Sequence, residues 1–171
     1  MANGTTAPVR TLLFVPGSTR RRIDKALGLD ASAVAIDLED AVALDEKPAA
    51  RATVAEAVAE ALPEAPPLLV RVNGVATGLL DADLAALAPV VPRLHGLIVP
   101  MCAGPDDLRE VAAQLDAIER AHGVEEGSTR LVATIETALG ENAHAIASIE
   151  REATVETTLI APAARRISRA R

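Results

Sequence analysis

Short apolar segments alternate with amphipathic or alanine-rich segments between residues 11 and 149. Each apolar segment is continuous, which is typical of strands in a sheet that is buried on both faces. Five strands are predicted, over residues 11–15, 33–38, 68–72, 96–99 and 131–135. Helices are predicted over residues 20–27, 47–62, 80–87 and 105 to about 123, and from Glu136 to about Ile149. Strands that alternate with helices predict an α/β fold with a parallel sheet covered by helices.

Local signals predict where some helices begin and which face packs. Pro105 stands at a position typical of the first helical turn, and Ser18 and Asp45 are candidate N-caps. In the fourth helix an apolar stripe predicts the packed face, which consists of Leu108, Val111, Ala112, Leu115 and Ile118. In the second helix the predicted face contains Ala52, Ala55, Ala59 and Leu62.

Polar side chains follow each predicted strand. The second strand ends in Asp37, Glu39 and Asp40, which are costly to bury unless an arginine, a lysine or a metal ion meets them. Parallel sheets bind their ligands at the carboxyl ends of the strands. We therefore expect one rim to collect Gly17, Ser18, Asp37, Glu39, Asp40, Arg71, Asn73, Met101 and Glu136.

Composition excludes several classes of function. The 171 residues carry a net charge of −7, which argues against a general nucleic-acid binder. Cys102 is the single cysteine, so neither a disulfide framework nor a cysteine metal site is expected. We find no apolar stretch long enough for a membrane span and no signal-peptide pattern, so a cytoplasmic protein is expected.

Four segments together resemble the citrate lyase β-subunit family, the CoA-ester lyases of the HpcH/HpaI aldolase superfamily. They are Leu-Phe-Val-Pro-Gly-Ser at 13–18, Asp-Leu-Glu-Asp-Ala-Val at 37–42 with Lys47 and Arg51, Val-Arg-Val-Asn-Gly at 70–74, and Ile-Glu-Thr-Ala at 135–138 with Gly140. The resemblance covers residues 10 to about 147 and implies a TIM-barrel fold, (β/α)8, that binds Mg²⁺.

The resemblance also implies roles for individual residues. Glu136 would be a metal ligand and Arg71 would hold the carboxylate of the substrate, so these two would be the catalytic residues. Phe14, Arg21 and Lys25 match positions that line the CoA or acyl-thioester side of the site. The acids of the second strand, Asp37, Glu39 and Asp40, would be supporting groups near the metal.

These roles imply a Mg²⁺-dependent carbon–carbon lyase. Its substrate would be a citryl, malyl or similar hydroxyacyl thioester of CoA or an acyl carrier, cleaved to a 2-oxo acid and an acetyl-type thioester. Two alternatives stay open: a catalytically silent family remnant or interaction protein, and a Mg²⁺-dependent aldolase that acts on free 2-oxo acids. Dependence of binding on Arg21 and Lys25 would distinguish thioester chemistry from the last alternative.

The same residues have structural interpretations. Arg71 could be the ion-pair partner of Asp37 or Glu39, which is compatible with holding a substrate carboxylate as well. Glu136 could be an acid favoured at a helix N-terminus, and the cations of the first helix could form a solvated face.

Two departures from the family pattern lead to further expectations. Pro100–Met101 stands where the family commonly has Pro-Lys, and no Gly-Ala-Glu-Asp segment supplies the second metal carboxylate of the family. A complete barrel of this kind needs about 250 residues. We therefore expect an incomplete barrel of five to six βα units over residues 1–150, a C-terminally truncated chain, and an unaligned tail over 151–171. An open sheet predicts a homo-oligomer or a complementing chain, and the missing carboxylate predicts weak Mg²⁺ binding and impaired catalysis by this chain alone.

Overall fold

Five parallel strands pair in the order in which they occur in the chain. The computed structural model describes residues 9–134. Its strands are β1 (Leu12–Pro16), β2 (Ala33–Asp37), β3 (Leu68–Arg71), β4 (Gly96–Val99) and β5 (Arg130–Ala133). Its helices are α1 (Arg20–Leu27), α2 (Lys47–Glu60), α3 (Leu80–Leu87) and α4 (Pro105–Ala121). Two 3-10 segments that the pattern did not predict, Val75–Thr77 and Ala88–Arg93, flank α3.

The strand order places the helices on one face of the sheet. Connections between neighbouring parallel strands are right-handed, so a sheet wound in one direction carries all its crossover helices on the same side. This is the arrangement of consecutive βα units in a barrel, and the predicted parallel α/β sheet is confirmed.

Alternate residues of each strand belong to two apolar clusters. The larger cluster lies between the sheet and the helices and includes Val34, Ile36 and Val70. The smaller cluster lies on the opposite face and is formed by buried Ala35, Ile98 and Val132, with Leu12 and Leu69 packed against it. The sheet therefore presents apolar side chains on both faces, as its continuous apolar strands predict.

The predicted packed face of α2 is wrong. Its buried apolar residues are Ala50, Val54, Ala57 and Val58, whereas Ala52, Ala59 and Leu62 are exposed and Ala55 is partly buried. Alanines occur around the whole helix and do not specify a face, so the two valines, which are larger, determine which face packs.

The predicted N-caps are also wrong. Thr19 and Glu46, rather than Ser18 and Asp45, precede α1 and α2, and neither makes a side-chain capping hydrogen bond. In α2 the first turn contains Pro48, which has no backbone N–H to cap. At its other end α2 stops at Glu60, where Arg93 donates to the carbonyls of Val58 and Ala61.

The apolar stripe of α4 is confirmed. Leu108, Val111 and Leu115 are buried, and Pro105 lies in the first turn. The same face also buries Glu119, which accepts the backbone N–H groups of Gly127 at 2.6 Å and Thr129 at 2.7 Å. This carboxylate therefore holds the loop that leads into β5.

Two further predictions lie partly or wholly outside residues 9–134. The helix after Glu136 and the tail over 151–171 are outside the described residues, so the division of the chain at residue 150 stays a prediction. Across the part of the chain that the structure describes, every helix is too short or too polar to cross a bilayer.

Candidate active site at the carboxyl ends of the strands

Arg71 and Asp37 form a two-point ion pair where β3 and β2 end. Nε of Arg71 lies 2.8 Å from Oδ1 of Asp37, and Nη2 lies 2.6 Å from Oδ2. The two residues are direct partners in the parallel register, so their side chains leave the sheet on the same face. Because strand residues alternate, this face is opposite to the one on which Ile36 and Val70 pack against the helices.

Two further side chains hold the guanidinium of Arg71. Oε2 of Glu39 lies 3.0 Å from Nη1, and Cζ of Arg71 lies 5.3 Å from the centroid of the Phe14 ring. The Arg71 side chain is 16% exposed, and Phe14 is 40% exposed. Arg71 is thus oriented by two carboxylates and an aromatic ring, while its side chain stays partly exposed.

The ion pair determines the charge of both partners. Burial raises the pKa of the Asp37 carboxyl, but hydrogen bonds from Arg71 and from the backbone N–H groups of Glu39 and Ala41 outweigh burial, so its pKa lies below the ordinary value. The hydrogen bond to Asp37 raises the pKa of Arg71, and the negative charges of Glu39 and Asp40 act in the same direction. Both groups are therefore charged at neutral pH.

A buried polar network lies directly behind this pair. The carbonyl oxygen of Leu38 accepts Nζ of Lys47 at 2.7 Å and Nδ2 of Asn73 at 3.1 Å, and Nζ also donates to the Glu39 carbonyl at 2.8 Å. On the other side of Asn73, its backbone N–H and its amide both donate to Oδ2 of Asp83 at 2.7 Å. Arg51 completes the network through Nε, 2.7 Å from Oδ1 of Asp83.

Sequence reasoning missed part of this network. It placed Asn73 at the rim and included Lys47 and Arg51 in a motif, but it did not single out Asp83. The available signal was an aspartate at helical spacing among the buried leucines of α3, Leu80, Leu84 and Leu87. A charge at such a position requires a partner, and Arg51 is that partner.

Glycines allow the loops to approach the strand ends closely. The Gly17 N–H donates to the Asp37 carbonyl at 2.8 Å, and a Cβ at Gly17 would lie 2.8 Å from that oxygen. Gly74, after β3, approaches the end of β4: a Cβ on Gly74 would lie 3.3 Å from the Pro100 carbonyl and 3.8 Å from Cβ of Met101. Met101 has a φ of 56° and is 50% exposed. The ends of β1 to β4 therefore meet at one rim, as the sequence predicts.

The remaining predicted site residues lie apart from this cluster or beyond it. Arg21 and Lys25 are exposed on α1, and neighbouring Arg20 makes ion pairs with Asp24 and Glu60 at 2.7 and 2.6 Å. Asp40 is exposed and acts on Arg71 through its charge. Glu136 lies outside the described residues, so its predicted role as a metal ligand stays a prediction.

Asp37, at the end of β2, and Glu39, which follows it, are candidates for contact with a metal ion. Residues 9–134 contain no group of three His, Cys, Asp or Glu side chains placed to hold one. Both oxygens of Asp37 accept hydrogen bonds from Arg71 and from backbone N–H groups, and Glu39 pairs with Arg71. Protein donors therefore already contact both of these carboxylates.

Comparison with known sequences identifies relatives of the chain. The family profile described as HpcH/HpaI aldolase/citrate lyase matches residues 10–161. The citrate lyase subunit beta of Haemophilus influenzae is 37% identical over 134 residues, which are 77% of this chain and 44% of that protein. A (3S)-malyl-CoA thioesterase of Cereibacter sphaeroides is 41% identical over 106 residues, 62% of this chain and 36% of that protein. The chain spans less than half the length of these two curated relatives.

Solved structures share the fold. The citrate lyase beta subunit of M. tuberculosis, complexed with oxaloacetate and magnesium, is 30% identical with a TM-score of 0.60, and the match covers 85% of this chain and 56% of that one. The magnesium/glyoxylate complex of Haloferax volcanii malate synthase has a TM-score of 0.71 at 23% identity and covers 83% of this chain and 46% of that one, a likeness of fold alone.

The family profile extends over most of the chain, and the strand order and the rim agree with it. The described residues form part of a TIM-type barrel, five parallel strands with their crossover helices. On these grounds the chain belongs to the HpcH/HpaI aldolase/citrate lyase family, which is named for two kinds of carbon–carbon lyase.

Proposed function

We propose that this protein acts in Mg²⁺-dependent cleavage of a carbon–carbon bond next to a CoA or acyl-carrier thioester, with a 2-oxo acid as one product. The observation that carries the proposal is the guanidinium of Arg71, oriented by Asp37, Glu39 and Phe14 at the rim of a family barrel. Relatives that are named for citrate lyase and malyl-CoA thioesterase support a thioester of a hydroxy acid as the substrate.

In this proposal Arg71 binds the carboxylate of the 2-oxo acid. A guanidinium has five N–H donors, and the two hydrogen bonds to Asp37 use one on Nε and one on Nη2, while Nη1 forms an ion pair with Glu39. N–H groups of Nη1 and Nη2 that do not bond to Asp37 can meet a carboxylate whose position is fixed by the orientation of Arg71. Oxaloacetate and glyoxylate, present in complexes of two structural neighbours, are suitable test ligands.

The charges at the rim favour a cation as well as a carboxylate. Among the described residues, the rim has three acids, Asp37, Glu39 and Asp40, and two cations, Arg71 and Lys47, an excess of one negative charge that favours a cation beside an anionic substrate. We propose that Glu136 supplies a carboxylate ligand to Mg²⁺, which offsets this excess. A bound Mg²⁺ would stabilise the negative charge on the hydroxyl oxygen of the substrate, which becomes the keto oxygen of the 2-oxo acid as the adjacent carbon–carbon bond breaks.

The thioester would lie on the side of Phe14. The exposed part of this ring offers an apolar surface, and the exposed cations Arg21 and Lys25 of α1, the helix that follows β1, suit the phosphate groups of CoA or of an acyl carrier. An aldolase that acts on free 2-oxo acids would use Arg71 but not these two cations.

The cellular setting is also proposed. We place the protein in the cytoplasm, with the barrel over residues 1–150 and the tail over 151–171 as separate segments.

In the described sheet β1 is an outer strand, and outer strands carry N–H and C=O groups that pair readily with another chain. A homo-oligomer or a complementing chain would cover it, and light scattering on the purified chain should then give a mass above that of one copy.

Calorimetry with Mg²⁺ and oxaloacetate tests the central proposal. The wild-type chain should bind oxaloacetate only with Mg²⁺ present, and Glu136→Gln should lose this Mg²⁺-dependent binding. Glu110→Gln, a change at an exposed acid of α4, is the matched control and should leave binding unchanged. Equal affinity in the wild type and Glu136→Gln would contradict the role of Glu136. Binding without turnover of a malyl or citryl thioester would favour the catalytically silent alternative.

A further inference from the structure

One peptide group connects the buried polar network to Arg71. It joins Leu38 to Glu39, and its carbonyl oxygen accepts Nζ of Lys47 and Nδ2 of Asn73. Its N–H, which belongs to Glu39, donates to Oδ1 of Asp37 at 2.8 Å. Oδ1 of Asp37 also accepts a hydrogen bond from Nε of Arg71 at 2.8 Å. The chain of contacts therefore runs from the network through a single peptide to the guanidinium.

The donors behind this peptide are buried. Lys47 is 7% exposed, Asn73 is 2% exposed and Asp83 is fully buried. A buried charged group is costly, and an apolar side chain of similar volume often serves the stability of a fold equally well. The placement of an amine on two backbone carbonyls therefore points to a role in orientation as well as in packing.

We propose that Lys47 and Asn73 are positioning residues for Arg71. Two donors on the Leu38 carbonyl fix the plane of the peptide and polarise it, and a polarised peptide donates a stronger N–H bond to Asp37. Asp37 in turn fixes the rotation of the guanidinium, and with it the direction of the N–H groups that do not bond to Asp37 and can meet a substrate carboxylate. This inference rests on the proposed function of Arg71 as the carboxylate-binding residue.

Asp83 and Arg51 act one step earlier. Asp83 accepts hydrogen bonds from the backbone N–H and from Nδ2 of Asn73, and Arg51 of α2 forms an ion pair with Asp83. The orientation of the Asn73 amide, which determines whether its Nδ2 reaches Leu38, is therefore set by a residue of α3. Three segments of the chain thus converge on the peptide that follows β2. They are the first turns of α2, the residues after β3, and helix α3.

The test measures the orientation of Arg71 directly. In the full chain labelled with ¹⁵N, the Nε–H signal of Arg71 is identified by its loss in Arg71→Lys. Lys47→Met keeps the apolar stem of the lysine and removes the donor. We expect the Nε–H signal to move towards the position of an exposed arginine, and the affinity for oxaloacetate with Mg²⁺ to fall by about tenfold or more. Arg109→Met, a change at an exposed arginine of α4, is the matched control and should change neither.

The outcomes separate positioning from stability. If folded Lys47→Met retains both the Nε–H signal and the affinity of the wild type, the proposal is wrong. If Lys47→Met does not fold, Asn73→Ala removes the second donor from the same carbonyl and is measured in the same way. Unfolding of both variants would assign the network to stability and overturn the proposal. If the wild type binds no 2-oxo acid, the proposed function fails, and the Nε–H signal alone still decides the positioning step.

Discussion

The two faces of one sheet differ in chemistry although they share the same strands. On the helix side the strands contribute Val34, Ile36 and Val70, and their contacts are apolar. On the other face, at the strand ends, Asp37 and Arg71 follow Ala35 and Leu69 at the alternate positions. Adjacent residues such as Ile36 and Asp37 therefore serve different purposes, one in the core and one at the rim.

This difference shows how a parallel sheet separates stability from chemistry. The helix-side positions of the strands carry apolar side chains, whereas the rim retains charged groups because N–H donors or cations meet its buried carboxylates. A substitution on the helix side should lower the free energy of unfolding. A conservative substitution at the rim should alter binding more than stability.

The largest expected effect is on the helix side. Ile36→Ala removes a fully buried side chain and leaves a cavity, so the free energy of unfolding should fall by about 2–5 kcal/mol. Leu44→Ala, at a residue that is 71% exposed, should change it by less than about 0.5 kcal/mol. Urea denaturation followed by circular dichroism measures both. Similar losses in the two variants would mean that the helix side of β2 is not the core.

The second effect belongs to the rim. Arg71→Lys keeps the charge and loses the two-point fork, so the binding free energy of oxaloacetate with Mg²⁺ should weaken by about 1–3 kcal/mol. Arg109→Lys, at an exposed arginine, should bind as the wild type does. Calorimetry decides, and a lysine variant with wild-type affinity would leave Arg71 a structural ion-pair partner.

Continuous apolar runs bounded by glycine or proline predicted the fold well. The limits of α1, α3 and β4 match the predicted ones. The pairing of Asp37 with Arg71 was also foreseeable, since strand ends share a rim. The packed face of α2 was not, because alanines occur around the whole helix and do not specify a face.

The third effect is the acid sensitivity of the rim. The pKa of Asp37 is lower in the folded chain than the value of about 3.9 in an unfolded one, so the unfolded state binds more protons at low pH. The stability that Asp37 contributes is therefore complete above about pH 4–5 and is lost as the pH falls through its folded pKa. Asp37→Asn should be less stable at pH 7 and should lose less stability between pH 5 and 3 than the wild type. Asp106→Asn, at a side chain that is 92% exposed, is the control, and urea titrations at each pH make the comparison. Parallel pH profiles of the wild type and Asp37→Asn would show that the ion pair does not contribute.

The smallest effect on stability is expected at α1. A substitution there can therefore change ligand affinity without changing the free energy of unfolding. Arg21 and Lys25 are exposed, so replacing both with alanine should change the free energy of unfolding by less than about 1 kcal/mol. If these cations meet the phosphates of a thioester carrier, the double variant should bind malyl-CoA or acetyl-CoA more weakly, and the loss should shrink as salt is added because exposed charges are screened. Its affinity for oxaloacetate should stay unchanged, since Arg71 is untouched. Replacing Arg109 and Arg120, two exposed arginines of α4, removes the same charge and serves as the control. Calorimetry at two salt concentrations measures each ligand, and equal CoA-ester binding by the wild type and the Arg21 and Lys25 variant would favour chemistry on free 2-oxo acids.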